Sequence, residues 1–79
     1  MFTLAEAPEG SRVVVVGLAV GGWGIRRRLL EMGISPGSVL EVVSNFRGPV
    51  VVRVRGVVMA LGRGMAAKIL VRPAGGSGG

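Results

Sequence analysis

The sequence predicts a mainly β protein, a small and strongly bent barrel of about five short strands, with one short helix over about residues 25–32 and a helical turn near 63–68. Three observations lead there. Valine-rich runs recur along the chain and are cut short by glycine. One window alone changes from strand-like to helical spacing. The 79 residues suffice for one core and leave no room for a second. A two-layer α+β arrangement is the alternative. Closing the sheet into a barrel would remove the adhesive edges that such valine-rich strands otherwise expose.

Taken in order, "TLAEAPEGS" opens with Thr3 and Glu6 at capping-box spacing, and Pro8 limits any helix there to one turn. "SRVVVVGLAV" (11–20) is continuous and β-branched, as a strand buried along most of its length should be, with Gly17 marking a bulge or bend. The period then changes. Ile25, Leu29 and Met32 stand at i, i+4 and i+7 and fall on one helix face, whereas Leu30 falls off that arc beside Arg26 and Arg27. Gly33 is placed as the left-handed C′ residue and Ile34 as the C″ residue that touches Leu29, and Pro36 prevents the helix from resuming. Gly33, Ile34, Pro36 and Gly37 therefore have structural roles.

"SVLEVVSNF" (38–46) reads as a strand and "RGP" (47–49) as a turn. In "VVVRVR" (50–55), Val50, Val52 and Val54 face one way and Val51, Arg53 and Arg55 the other. Gly56 breaks the run. "VVMAL" (57–61) makes a further strand, "GRGMAAK" (62–68) a helical turn, and "ILV" (69–71) a closing strand ended by Pro73. Residues 1–73 form a single domain, and 74–79 a flexible Gly/Ser tail outside it.

Composition narrows the function. With no cysteine and no histidine, disulfides and the usual zinc, copper or iron–sulfur sites are not expected, and no metal or cofactor site is assigned. The four carboxylates are Glu6, Glu9, Glu31 and Glu41, and no pair among them signals acid/base chemistry. Lys68 is the single lysine and tyrosine is absent, so the chain is not expected to be an enzyme. Ten basic residues, nine of them arginine, give a net charge of +6 and favour an anionic partner surface. The apolar stretch from Val13 to Ile25 contains four glycines and is shorter than the ~20 residues a membrane span needs. Glu6 and Glu9 have the wrong sign for the start of a signal peptide. A soluble, cytoplasmic protein is expected.

Two phosphate-loop patterns fail on inspection. Gly17 and Gly22 have the right gap, but Trp23 and Gly24 follow where lysine and a hydroxyl are needed. "GRGMAA" (62–67) lacks the βαβ unit and the acidic residue that a dinucleotide site requires. Arg26-Arg27-Arg28 is either a solvated helix face, with Glu31 pairing one turn away, or a patch that meets a partner. Trp23 is either a plug in the barrel or an exposed anchor. If exposed beside Leu30, it would make an apolar patch rimmed by arginines, as protein-binding hot spots are. Arg53 and Arg55 leave open a small basic barrel that binds nucleic acid, but Phe2, Trp23 and Phe46 do not form a stacking row.

These stretches resemble the FeoA family, the ferrous-iron transport protein A group. "TLAEAPEGSRVVVVGL" is similar to that family's opening, "IRRRLLEMGISPGSVLEVV" to its basic helix with two leucines before glycine and Pro-Gly, and "VVVRVRGVVMALGRGMAAKILV" to its closing segment. The resemblance implies an SH3-like barrel. It also implies a non-enzymatic cytosolic accessory that binds, and regulates, the FeoB-type membrane ferrous-iron transporter through its cytosolic domain. Carried over by position, Trp23, Arg26, Arg27, Leu29 and Leu30 are the expected partner-binding residues. An SH3-like module of a metal-dependent regulator is a further alternative, and self-association into a homo-oligomer through the apolar surface stays open. The loop "FRGPV" and the glycines at 62 and 64 depart from the family pattern.

Overall fold

The computed structural model describes residues 1–19 and 21–74. The elements run β1 (Phe2–Thr3), a 3₁₀ turn (Leu4–Glu6), β2 (Arg12–Leu18), α1 (Trp23–Glu31), β3 (Val39–Ser44), β4 (Val50–Val54), β5 (Val57–Leu61), α2 (Arg63–Ala66) and β6 (Ile69–Pro73). One antiparallel sheet contains all six strands in the order β1-β6-β2-β3-β4-β5. The mainly β expectation stands, with one strand more than expected. Phe2 and Thr3 pair with Val71 and Leu70, a short N-terminal strand whose two residues carry no periodicity to read.

The expected barrel closure is not completed by hydrogen bonds, since β1 and β5 remain edges. Side chains draw those edges together instead. The 3₁₀ turn after β1 packs on α2, which follows β5. Arg63 at the start of α2 donates Nη2–H to the Ala5 carbonyl at 2.9 Å and Nη1–H to the Asn45 Oδ1 at 2.8 Å and the Gly48 carbonyl at 3.2 Å. Asn45 in turn donates through Nδ2 to the carbonyls of Ala5 (3.0 Å) and Ala7 (2.7 Å). Its backbone N–H reaches Glu9 Oε2 at 2.7 Å.

Alternation along the strands fills the interior. Val50, Val52 and Val54 of β4 are buried, as their spacing predicts, and they meet Val13 and Val15 of β2, Leu40 and Val42 of β3, and Ile69 and Val71 of β6 in one core. Each such side chain contributes about 1.5–3 kcal/mol relative to exposure. The register of β2 against β6 shifts between Val15 and Gly17, which puts the bulge expected at Gly17 one residue before it, at Val16. Val20, the last residue of the run read as this strand, lies outside the described residues. So do residues 75–79 of the expected tail; Ala74 is bound, its N–H donating to the Arg12 carbonyl at 2.9 Å.

Helix α1 begins two residues earlier than its spacing suggested and ends at Glu31, with Met32 as C-cap. The end then closes as expected. Gly33 has φ +84°, the Gly33 N–H donates to the Leu30 carbonyl at 3.0 Å, and the Ile34 N–H donates to the Leu29 carbonyl at 2.9 Å. Those two bonds define a Schellman closure. Pro36 and Gly37, the latter at φ +96°, are the central residues of a turn closed by the Ser38 N–H on the Ser35 carbonyl at 2.9 Å. Proline followed by a positive-φ glycine is the type II pattern. The turn also meets β2, because the Gly37 N–H donates to the Val15 carbonyl at 2.7 Å.

Replacing Gly33 by alanine leaves room for the new methyl group, which would lie 3.5 Å from Val54 Cγ1, but forces a Cβ into the left-handed region. The Gly33→Ala variant should lose about 1–2 kcal/mol. Thermal unfolding followed by circular dichroism should then show a midpoint lower by about 4–8 °C per kcal/mol in a domain this small.

Candidate partner-docking face

The Gly33 closure decides which way α1 turns. Leu29, only 1% exposed, and Ile34, fully buried, plug into the core, and Met32 packs against them. With Leu29 inward, the residues at 23, 26, 27 and 30, spaced i, i+3, i+4 and i+7, line up on a flank about a third of a turn round the helix from it. Trp23 is 67% exposed and Leu30 42% exposed, so the sequence alternatives resolve to an exposed tryptophan and an outward Leu30. Leu29 is therefore corrected: as a core residue it cannot belong to a contact surface while the domain is folded. Ile25, expected on the core face, is 38% exposed, because the helix meets the core at its C-terminal end and its first turn overhangs.

The arginines frame this apolar pair. Arg27 Nε lies 3.3 Å from Glu31 Oε2, one turn on, an exposed pair worth at most a few tenths of a kcal/mol. Arg26 is half-buried and reaches the Leu18 carbonyl through Nη2 at 3.5 Å, which leans it toward the end of β2. Arg28 is exposed on the flank. Four of the five residues expected to meet a partner thus share one helix face, and Leu29 is the support beneath them.

The outer face of the sheet is the second candidate. An open groove of about 410 Å³ is lined by Arg12, Gly37, Ser38, Glu41, Arg53 and Arg55. Register places Arg12, Glu41 and Arg53 side by side on β2, β3 and β4, and Arg53 Nη1 bonds Glu41 Oε1 at 2.9 Å. A carboxylate thus sits between two of the arginines. Phe46 is exposed and carries Arg47 over its ring at 5.2 Å, on a loop away from this groove's lining. Among the described residues no group of three or more carboxylate, histidine or cysteine side chains is gathered to hold a metal ion. No described helix is long and apolar enough to cross a membrane.

A small SH3-like β domain presenting one basic, apolar-tipped helix is the class of protein that this fold and face define. The FeoA domain family model matches residues 2–73. The chain is 45% identical over 74 residues to a protein of Methanocaldococcus jannaschii that carries the provisional name Fe(2+) transport protein A, covering 94% of this chain and 89% of that one. Among solved structures, an iron uptake regulatory protein (FeoA) is 35% identical with a TM-score of 0.80, covering 90% of this chain and 93% of its own. The FeoA of Stenotrophomonas maltophilia, described as an SH3 domain protein and solved with zinc, is 27% identical with a TM-score of 0.80 and 91% coverage of both chains. This chain belongs to the FeoA family of ferrous-iron transport proteins.

Trp23 is the single tryptophan, so its fluorescence reports on this face alone. Its emission should be that of indole in water, and acrylamide should quench it nearly as well as it quenches the free amino acid. A blue-shifted, protected emission would place Trp23 in the barrel or under a partner copy.

Proposed function

We propose that this protein is a non-enzymatic, cytoplasmic accessory that docks the outward face of α1 on the cytosolic domain of a FeoB-type ferrous-iron transporter and regulates it. The observation that carries the reading is the placement of Trp23 and Leu30 together in solvent, framed by Arg26 and Arg27. An exposed tryptophan beside two arginines has the make-up of a protein-binding hot spot, and Leu30 extends its apolar area. The helix is rigidly seated by Leu29 and Ile34, so docking costs little ordering of the binding surface. Membership of a family named for ferrous-iron transport supports a transporter as the partner. The arginines would steer the encounter with an acidic surface and the apolar pair would hold it.

A nucleic-acid reading has less support. Arg53 is engaged by Glu41, and the exposed aromatic rings stand on separate elements. It predicts loss of oligonucleotide binding when Arg53 and Arg55 are neutralised, with a steep salt dependence.

The test is capture of the transporter's soluble cytosolic domain, and of the full transporter, at low and physiological salt. Trp23→Ala and Leu30→Asp should each weaken capture by at least about tenfold, roughly 1.4 kcal/mol, with circular dichroism unchanged. Arg26→Glu should weaken it most at low salt. Leu29→Asp should unfold the domain, since it buries a charge without a partner. Capture unaffected by both Trp23→Ala and Leu30→Asp would rule out this face.

A further inference from the structure

The sheet has one long edge, and nothing in its sequence protects it. The other edge, β1, is two residues long and runs straight into the 3₁₀ turn. Strand β5 has five residues, pairs with β4 in unbroken register from Val54–Val57 to Val50–Leu61, and contains no charge, proline or bulge. Natural edge strands carry such devices because an unpaired ladder invites another strand. Here Val57 is 58% and Val58 53% exposed. The α2 and 3₁₀-turn packing that draws the sheet edges together lies at the Leu61 end, so the Val57–Ala60 portion is the open part.

The hairpin geometry identifies the free backbone groups. Arg55 and Gly56 link β4 to β5 with φ +52° and +81°, as a type I′ turn requires. Such a two-residue loop makes Val54 and Val57 a hydrogen-bonded pair, and alternation makes Val52–Met59 and Val50–Leu61 the next ones. The N–H and C=O of Val58 and Ala60 therefore point away from β4, into open space.

Charge selects the occupant. Arg55 stands at the head of β5 in a left-handed conformation that disfavours any residue with a Cβ, and it has no hydrogen-bond or ion partner among the described residues. Pairing of two β5 strands would bring together two chains that each carry +6, each with an unpaired Arg55 beside the joined edge. A second copy is thus repelled where an acidic strand is attracted. We propose that β5 is a strand-addition site for an extended partner segment, apolar in alternate positions beside Val58 and acidic at the end that meets Arg55. The main chain of Val58 and Ala60 would supply the hydrogen bonds, and Arg55 would set direction and register. This surface is separate from the α1 face and does not depend on the transporter reading.

The experiment is amide hydrogen exchange and chemical-shift titration by NMR on the full chain. The probes are a capped peptide Asp-Glu-Val-Thr-Val-Thr-Val and its counterpart with lysines in place of the two acids. The acidic peptide should protect the Val58 and Ala60 amides and leave the β4–β5 ladder unchanged. The basic one should bind at least about tenfold more weakly. Ala60→Pro removes an outward N–H at a position where an edge strand tolerates proline, and it should abolish binding with circular dichroism preserved. If that variant fails to fold, Arg55→Glu, which leaves the ladder intact, should reverse the preference between the two peptides. Trp23→Ala and Leu30→Asp should leave peptide binding unchanged, which separates this site from the α1 face. The proposal is overturned by no saturable binding up to about 1 mM, by full affinity in Ala60→Pro, by equal binding of both peptides, or by sedimentation showing dimers paired through β5 without peptide.

Discussion

The left-handed residue at Gly33 turns the chain so that Ile34 folds back over Leu29, and the outer surface of α1 depends on that closure. A helix of nine residues is too short to hold itself in water. Its N-cap, Gly22, offers no side-chain acceptor, and its first turn has no acidic residue to meet the positive end of the helix dipole. The C-terminal end is better provided. Two Schellman bonds satisfy the Leu29 and Leu30 carbonyls, Arg28 lies in the last turn, and the Gly33 carbonyl accepts from Ser38 Oγ at 2.8 Å. Anchored from that end, the helix has only one rotation that buries Leu29. That rotation leaves Trp23 and Leu30 in water.

A second constraint works where the two edges of the sheet approach each other. A six-stranded sheet that stops short of hydrogen-bonded closure needs some other tie between its edges, and Asn45 and Arg63 provide it. Asn45 uses its amide donors and its carbonyl oxygen, and its own backbone N–H is taken by Glu9. Arg63 spans three segments that are distant in sequence: the N-terminal turn, the β3–β4 loop and α2. A planar guanidinium with several donors is suited to this, where a lysine's single ammonium would be less so. The seam is polar and lies near the surface, so it costs little desolvation. It gives direction to a junction that apolar packing alone would leave loose.

What the sequence made legible follows from how local each signal is. The Leu29–Gly33–Ile34–Pro36 group is read within eight consecutive residues, and it appears as expected. The alternation of Val50, Val52 and Val54 is likewise a local pattern with a single solution once one face is buried. The outward leucine was less accessible. Spacing put Leu29 on the core arc while the family resemblance put both Leu29 and Leu30 on the partner surface, and the burial of Leu29 with Ile34 decides between them. Asn45 and Arg63 were not legible as partners, because their separation of 18 residues carries no period and each reads alone as an ordinary loop or surface residue. The exposure of Trp23 was hidden for a related reason: tryptophan is usually buried, and here the first turn of α1 overhangs the core that would have received it.

The distribution of charge bears on what such a surface can recognise. Much of the basic surplus is already engaged: Arg27 by Glu31, Arg53 by Glu41, Arg63 by the seam, Arg26 by the Leu18 carbonyl, and Arg47 by the Phe46 ring. Arg12, Arg28, Arg55 and Lys68 have no such partner among the described residues, and they come from four separate stretches of chain, with only Arg12 and Arg55 sharing a groove. A net charge of +6 spread in this way raises the rate at which any acidic surface is met, and it falls off over about 8–10 Å at physiological salt. It does not by itself distinguish one acidic surface from another. Discrimination must come from features that work at contact, and the apolar pair on α1 and the bare ladder of β5 are two such features. Attraction is thus general over this molecule, and specificity is confined to a few places where apolar atoms or unpaired backbone groups would otherwise remain in water.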